Sequence, residues 1–191
     1  MPLRDLLEER LRPGADREAI DQRIWDELGE DWCVMATDLS GFSRGVAEFG
    51  IIHFLQTIYE SERILVPILE KQGGNLLKIE GDSFLAIFQT AGRAVDASIE
   101  MQRAVREYNV DRIPEEQVLL GVGLGYGRVL RVSEGDVYGN EVNSACVLGE
   151  TWARAYDILI TKAVRDAVPD VAVEPFPHVP PGAREAFRVL Y

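Results

Sequence analysis

The sequence predicts an α+β domain, ferredoxin-like at its centre, with a mixed and mostly antiparallel sheet covered by helices. Three observations carry that expectation. Short apolar runs pair across turn residues, as LLKI and FLAIF do around Glu80-Gly81-Asp82 and as VAVEPF and AFRVLY do near the C-terminus. Longer segments of helical period separate such pairs. The resulting order, βα, ββ, α, ββ, α, β, α, ββ, interleaves hairpins with helices, a pattern that favours an antiparallel sheet with helices packed over it.

Length and composition agree with a single folded unit. At 191 residues the chain fits one domain with a sizeable core and a short appendage. With 47% hydrophobic and 27% charged residues it is ordinary globular material, not a disordered segment. The net charge of −12 and pI near 4.6 disfavour a broad nucleic-acid surface or an anionic membrane as partner. A phosphorylated ligand stays compatible if metal ions supply the positive charge. The two cysteines, Cys33 and Cys146, lack metal-ligand spacing and read as packing residues of a reducing compartment. No window has the apolar length of a signal peptide or a membrane span, so a cytoplasmic location is expected.

Taken in order, residues 1–30 form a charged helical extension. LRDLLEERL is broken by Pro13-Gly14, and a second helix runs from an N-cap at Asp16 through Ile20, Ile24 and Leu28 to a stop at Gly29. It reads as an amphipathic element packed on the domain or on a second subunit. Residues 31–191 form the main domain. WCVMATD is a strand ending in an aspartate, followed by LSGFS. IIHFLQTIYESERILVPILEK is a helix that stops at Gly73-Gly74, with Pro67 a candidate kink. After the LLKI/FLAIF hairpin comes a helix from about Ala91 to Tyr108. VLLGVGLGYGRVLRV reads as a strand pair whose glycines mark tight bends or close backbone approach. DVYGNEVNSACVLGETWARAY turns into a helix, DILIT is a strand, KAVRDAV a helix, and the final hairpin closes the chain.

The informative anomaly is LLKIEGDSFLAIF, where a lysine, a glutamate and an aspartate interrupt a good core pattern. A carboxylate placed just after an apolar strand is held by rigid backbone yet reaches solvent. Asp82 fits that description at the hairpin tip, and Asp38 fits it at the end of the first strand. Each alone suits an ordinary capping or turn role equally well. Together, on neighbouring strands, two aspartates can share hard divalent cations, which take oxygen ligands from carboxylates and substrate phosphates. The adjoining LSGFS, with Gly41, Phe42 and Ser43, can present backbone N–H groups to a phosphate at a helix start.

TDLSGFS, KIEGD and DVYGNEVN, in this order and at these separations, resemble the catalytic domain of the class III nucleotide cyclases, the adenylyl and guanylyl cyclases. The resemblance covers residues 32–191. It implies that Asp38 and Asp82 bind two metal ions, Mg²⁺ or Mn²⁺, with the Leu39 carbonyl as a further ligand. It implies that Lys78 and Asp136 read the base, that Asn143 orients the ribose, and that ATP is the substrate, converted to cyclic AMP and pyrophosphate. Adenine offers an acceptor at N1 and a donor at N6, which an ammonium beside a carboxylate complements. The resemblance also implies a head-to-tail homodimer, with metals held by one chain and base and ribose by the other.

Three positions depart from the family pattern. Val147 stands four residues after Asn143, where the family has an arginine that stabilises transition-state charge; such a donor is typically worth ~10²–10³ in rate. Gly121 replaces an arginine that contacts the triphosphate. Pro180-Pro181 occupy the place of a C-terminal basic residue, with Arg184 close by. Two expectations follow: a cyclase in which Arg44, Arg128, Arg154 or Arg184 replaces the lost charge, or a nucleotide-binding pseudo-cyclase with a regulatory role. A diguanylate cyclase fits less well, because its turn motif would have Gly and an acid where Glu80 and Ser83 stand, and it leaves DVYGNEVN unexplained. His53 and His178 are expected on a helix face and a loop.

Overall fold

The computed structural model describes residues 3–40 and 49–191. Helices α1 (Leu3–Arg10) and α2 (Arg17–Leu28) lead into strand β1 (Gly29–Leu39). Helix α3 (Ile51–Lys71), the hairpin β2 (Asn75–Glu80) and β3 (Ser83–Phe88), and helix α4 (Ala91–Asn109) follow. Then come β4 (Leu120–Arg131), β5 (Val137–Tyr138) and α5 (Asn140–Cys146), which runs on into a π-helical turn, Val147–Trp152. Strand β6 (Ile158–Thr161), helix α6 (Lys162–Ala167), and strands β7 (Val173–Phe176) and β8 (Ala186–Val189) complete the α+β order.

The strands form one sheet in the order β2-β3-β1-β4-β6-β8-β7, with β5 paired to β4. Among the described residues, only β4 and β6 run parallel; every other pairing is antiparallel. Strand β1 sits between β3 and β4 and is covered on both faces, which is why WCVMA is continuously apolar and not alternating. Cys33 and Met35 join the larger core with Leu65 and Leu69 of α3 and Ala97, Met101 and Val105 of α4. Val34 and Ala36 point the other way, into a smaller cluster with Val142 and Ala145 of α5. Among the described residues, no helix is long and apolar enough to cross a membrane.

The helix ends follow the expected chemistry. Asp16 caps α2 by accepting from the Ala19 N–H at 3.1 Å. Gly29 is its C-cap, and Gly73 turns the chain after α3 at φ +73°. Residues 118–132 differ from expectation: Leu120–Arg131 within them is one long strand, and the partner β5 has only two residues. The reason is β1, which pairs with β4 from Gly29↔Leu130 through Leu39↔Leu120 and holds it straight. The glycines serve close approach instead of bending. A Cβ on Gly123 would lie 2.2 Å from the Ala145 carbonyl oxygen, so α5 packs on β4 at a distance only glycine permits.

Candidate functional site

Strand pairing brings Asp38 and Asp82 together. Phe84 of β3 pairs with Thr37 of β1, and the buried Thr37 hydroxyl accepts from the Phe84 N–H at 3.2 Å. One residue on, the Ser83 hydroxyl donates to Asp38 Oδ1 at 3.2 Å. The turn preceding Ser83, made by Gly81 at φ +62°, therefore sets Asp82 beside the end of β1, where the Leu39 backbone also hydrogen-bonds it. The two carboxyls, from positions 44 residues apart in sequence, are neighbours.

Their electrostatics are those of an uncompensated acid pair. Burial, then the Asp82 charge, pushes the Asp38 carboxyl up to about 6. Asp82 is raised as well, chiefly by burial, against hydrogen bonds that favour its charged form. Asp82 Oδ2 is buried and, among the described residues, has no hydrogen-bond partner. Burying carboxylate oxygen without a donor is costly. Both features suit hard cations with oxygen ligands, although among the described residues no group of three or more acidic, His or Cys side chains is placed to hold a metal ion. Gly41, Phe42 and Ser43 lie outside the described residues.

A cleft of about 470 Å³ adjoins this pair, lined by Lys78, Glu80, Tyr138, Asn143, Cys146 and Glu150 among others. Lys78 lies on the edge strand β2, exposed, with its ammonium 3.2 Å from Glu80. Glu80 is the chief cause of its raised pKa, with Asp136 adding to it, so the Asp136 carboxylate is within electrostatic reach. Asp136, exposed in the β4–β5 turn, accepts from the Ser133 hydroxyl at 3.4 Å. Asn143 is exposed on α5, whose first turn is fixed by half-buried Glu141: its carboxylate accepts from the Tyr126 N–H at 2.9 Å and the Thr161 hydroxyl at 3.3 Å. The structure thus brings Lys78 and Asn143 to one cleft with Asp136 nearby, while Asp38 and Asp82 do not line it.

Sequence reasoning missed Glu80, Tyr138, Cys146 and Glu150 as cleft residues. Glu150 reaches the cleft from the π-helical turn, whose period departs from 3.6 and so leaves no signature in an amphipathic count. Its carboxyl is raised first by burial. Burial and the Glu150 charge push the Cys146 thiol up to about 12, so it is a packing thiol and not a nucleophile. Of the departures, Gly121 lies opposite Asp38, and a Cβ there would meet the Ala153 side chain at 2.9 Å. Val147 sits at the junction of α5 and the π-helical turn. His53 on α3 lies 2.9 Å from the Glu115 carbonyl oxygen, and His178 stacks near Trp152, both away from the cleft.

The comparisons with known proteins agree with this architecture. A Rhizobium meliloti protein provisionally named adenylate cyclase 3 is 27% identical over 112 residues, 59% of this chain and 19% of that protein. An uncharacterized Mycobacterium tuberculosis protein is 29% identical over 133 residues, 70% of this chain and 33% of that one. The chain therefore spans only about a fifth to a third of the curated relatives it matches. Among solved structures, the adenylyl cyclase CyaB of P. aeruginosa superposes with a TM-score of 0.71 at 18% identity, covering 85% of this chain and 95% of that one. The GTP complex of a guanylate cyclase domain from Catenaria anguillulae gives 0.73 at 18%, covering 84% and 96%. A family profile described as the adenylate and guanylate cyclase catalytic domain matches residues 26–174, and the chain belongs to that family.

Proposed function

We propose that the domain converts ATP to cyclic AMP and pyrophosphate as a head-to-tail homodimer using two divalent cations, Mg²⁺ or Mn²⁺. The observation that carries this reading is the juxtaposition of Asp38 and Asp82, half-buried and with Asp82 Oδ2 unpartnered among the described residues, next to a cleft bearing Lys78 and Asn143. Asp38, Asp82 and the Leu39 carbonyl would hold the ions. When bound, they neutralise the triphosphate and acidify the ribose 3′-hydroxyl. Lys78 donates to adenine N1, Asp136 accepts from the N6 amino group, and Asn143 holds the ribose so that its 3′-oxygen faces the α-phosphorus. The 3′-hydroxyl gives up its proton to solvent water as its oxygen bonds to the α-phosphorus, and the bond from that phosphorus to the bridging oxygen breaks, releasing pyrophosphate. Gly41, Phe42 and Ser43 are the proposed phosphate-binding backbone.

A dimer is supported by the separation of the two halves. One chain's cleft contains Lys78 and Asn143 without its own acid pair in the lining, so a second copy supplying the acids would complete the site twice over.

Val147 and Gly121 favour a second reading, a nucleotide-binding domain without turnover. The Gly121 position is closed by Ala153, and Val147 offers no donor to a pentavalent phosphorus. The deciding experiment gives purified protein ATP with Mn²⁺ or Mg²⁺ and measures cyclic AMP, with an Asp38→Ala control and GTP in parallel. Product from the parent protein alone supports the cyclase. Calorimetric ATP binding without product assigns the regulatory role, and product from GTP only overturns the base assignment.

A further inference from the structure

A second cavity lies where α1 and α2 meet β4 and β5. Its volume is about 530 Å³, and Leu7, Ile24, Trp25, Leu130 and Tyr138 wall it. That size is within the range of small-molecule sites, and the walls are apolar and ring-bearing. Leu7 and Tyr138 leave 45% and 56% of their surfaces in water. Two exposed apolar side chains thus face one concavity.

The polar part of the wall decides what charge the occupant carries. Arg10 lines the cavity, but its Nε and Nη2 donate to Asp21 Oδ1 and Oδ2 at 2.5 and 3.1 Å, and Asp21 lines the cavity too. The guanidinium and carboxylate cancel one another. A charged ligand would find neither group free as a counter-ion, whereas a neutral one leaves the pair intact. Tyr138 also lines the nucleotide cleft, so one side chain is common to both walls.

We infer that this cavity binds a neutral, largely apolar, ring-bearing small molecule, and that its occupancy alters nucleotide affinity through Tyr138. The coupling rests on the nucleotide reading above; the binding itself does not.

The test uses the full chain and two dyes of one scaffold, neutral N-phenyl-1-naphthylamine and its anionic relative 1-anilinonaphthalene-8-sulfonate. The neutral dye should bind saturably, one per chain, with energy transfer from tryptophan, and the sulfonate at least about tenfold more weakly. Leu7→Glu, at a half-exposed position, should weaken the neutral dye by about tenfold or more with its circular-dichroism melt retained. Leu11→Glu, at a position 77% exposed and outside the cavity, should not change it. Saturating dye should shift the calorimetric ATP affinity by about fivefold, and ATP should shift dye affinity by the same factor. Neutral-dye binding that is absent or indifferent to Leu7→Glu overturns the site, and equal or tighter sulfonate binding overturns its neutrality. An ATP affinity unmoved by dye overturns the coupling. ATP that never binds overturns the nucleotide reading instead, while the dye titration still judges the cavity.

Discussion

The acid pair and the proposed base-reading cleft are neighbours built on opposite principles. Asp38 lies at the end of β1, which pairs along its whole length with β4, and Asp82 lies beside it in the β2–β3 turn; both are half-buried, hydrogen-bonded to Ser83 and the Leu39 backbone respectively, and charged against one another. Lys78, Asp136 and Asn143 are exposed, on an edge strand, a turn and a short helix, and the polar contacts of Lys78 and Asp136 are with the surface groups Glu80 and Ser133. The fold tolerates an electrostatic cost at the acids and at Glu150 in the cleft wall, while Lys78, Asp136 and Asn143 stay in solvent. A rigid acid pair is preorganised for cations, whereas an open recognition face needs its ligand, or a second copy of the chain, to complete it.

The largest effect that tests this contrast is loss of the acids. Asp82→Ala, like Asp38→Ala, should lower cyclic AMP formation at least ~10²-fold while leaving the fold intact. Lys78→Ala should act on the other side, lowering kcat/KM for ATP by about 10- to 10²-fold with no measurable change in thermal stability. If Lys78→Ala destabilises the protein as strongly as a core substitution, the cleft is structural and the contrast fails.

The contrast was only half legible in the sequence. The hairpin order, the Asp16 cap and the Gly29 stop follow from local rules, and the structure has them all. The glycine run was ambiguous because bends and close approach have the same composition; only the β1–β4 register and the Ala145 carbonyl beside Gly123 decide between them. The meeting of Asp38 with Asp82 was readable because both end apolar strands. Glu150 was not, since the π-helical turn that presents it has no periodic signal, and Tyr138 belongs to a strand two residues long. The positions of Gly41, Phe42 and Ser43 lie outside the described residues.

Stability against pH sharpens the comparison. The folded Asp38 carboxyl, near 6, lies above its ordinary 3.8, so the folded state holds more protons between those values. Metal-free protein should therefore become more stable as pH falls from 7.5 toward 5, opposite to ordinary acid weakening. Partial solvent screening holds the gain to about 1 kcal/mol, roughly 2–4 °C in Tm for a domain of this size. Asp38→Asn should raise Tm at pH 7.5 and flatten the slope, leaving the smaller contributions of Asp82, Glu141 and Glu150, all raised by burial. Saturating Mn²⁺ should invert the trend, because protonation then competes with the ion. A metal-free Tm that falls steadily below pH 7 would mean the acids are already compensated.

The smallest effect probes the cleft side. Glu80 holds the Lys78 ammonium at 3.2 Å, with the two side chains 42% and 72% exposed. An ion pair that open is worth about 0–1 kcal/mol. Reading a base requires the ammonium to leave Glu80, so the pair competes with ATP instead of preparing for it. Glu80→Gln should then lower KM for ATP by about 2- to 5-fold at constant kcat, with Tm changed by no more than about 1 °C. Added salt should shrink the difference between variant and parent, because exposed charges are screened within a Debye length of ~8–10 Å. In a Lys78→Ala background the Glu80 substitution should have no effect, since the two act as one unit. A higher KM in Glu80→Gln would reverse the assignment: Glu80 would then aim Lys78 at the base, and the cleft would be preorganised in the same sense as the acid pair.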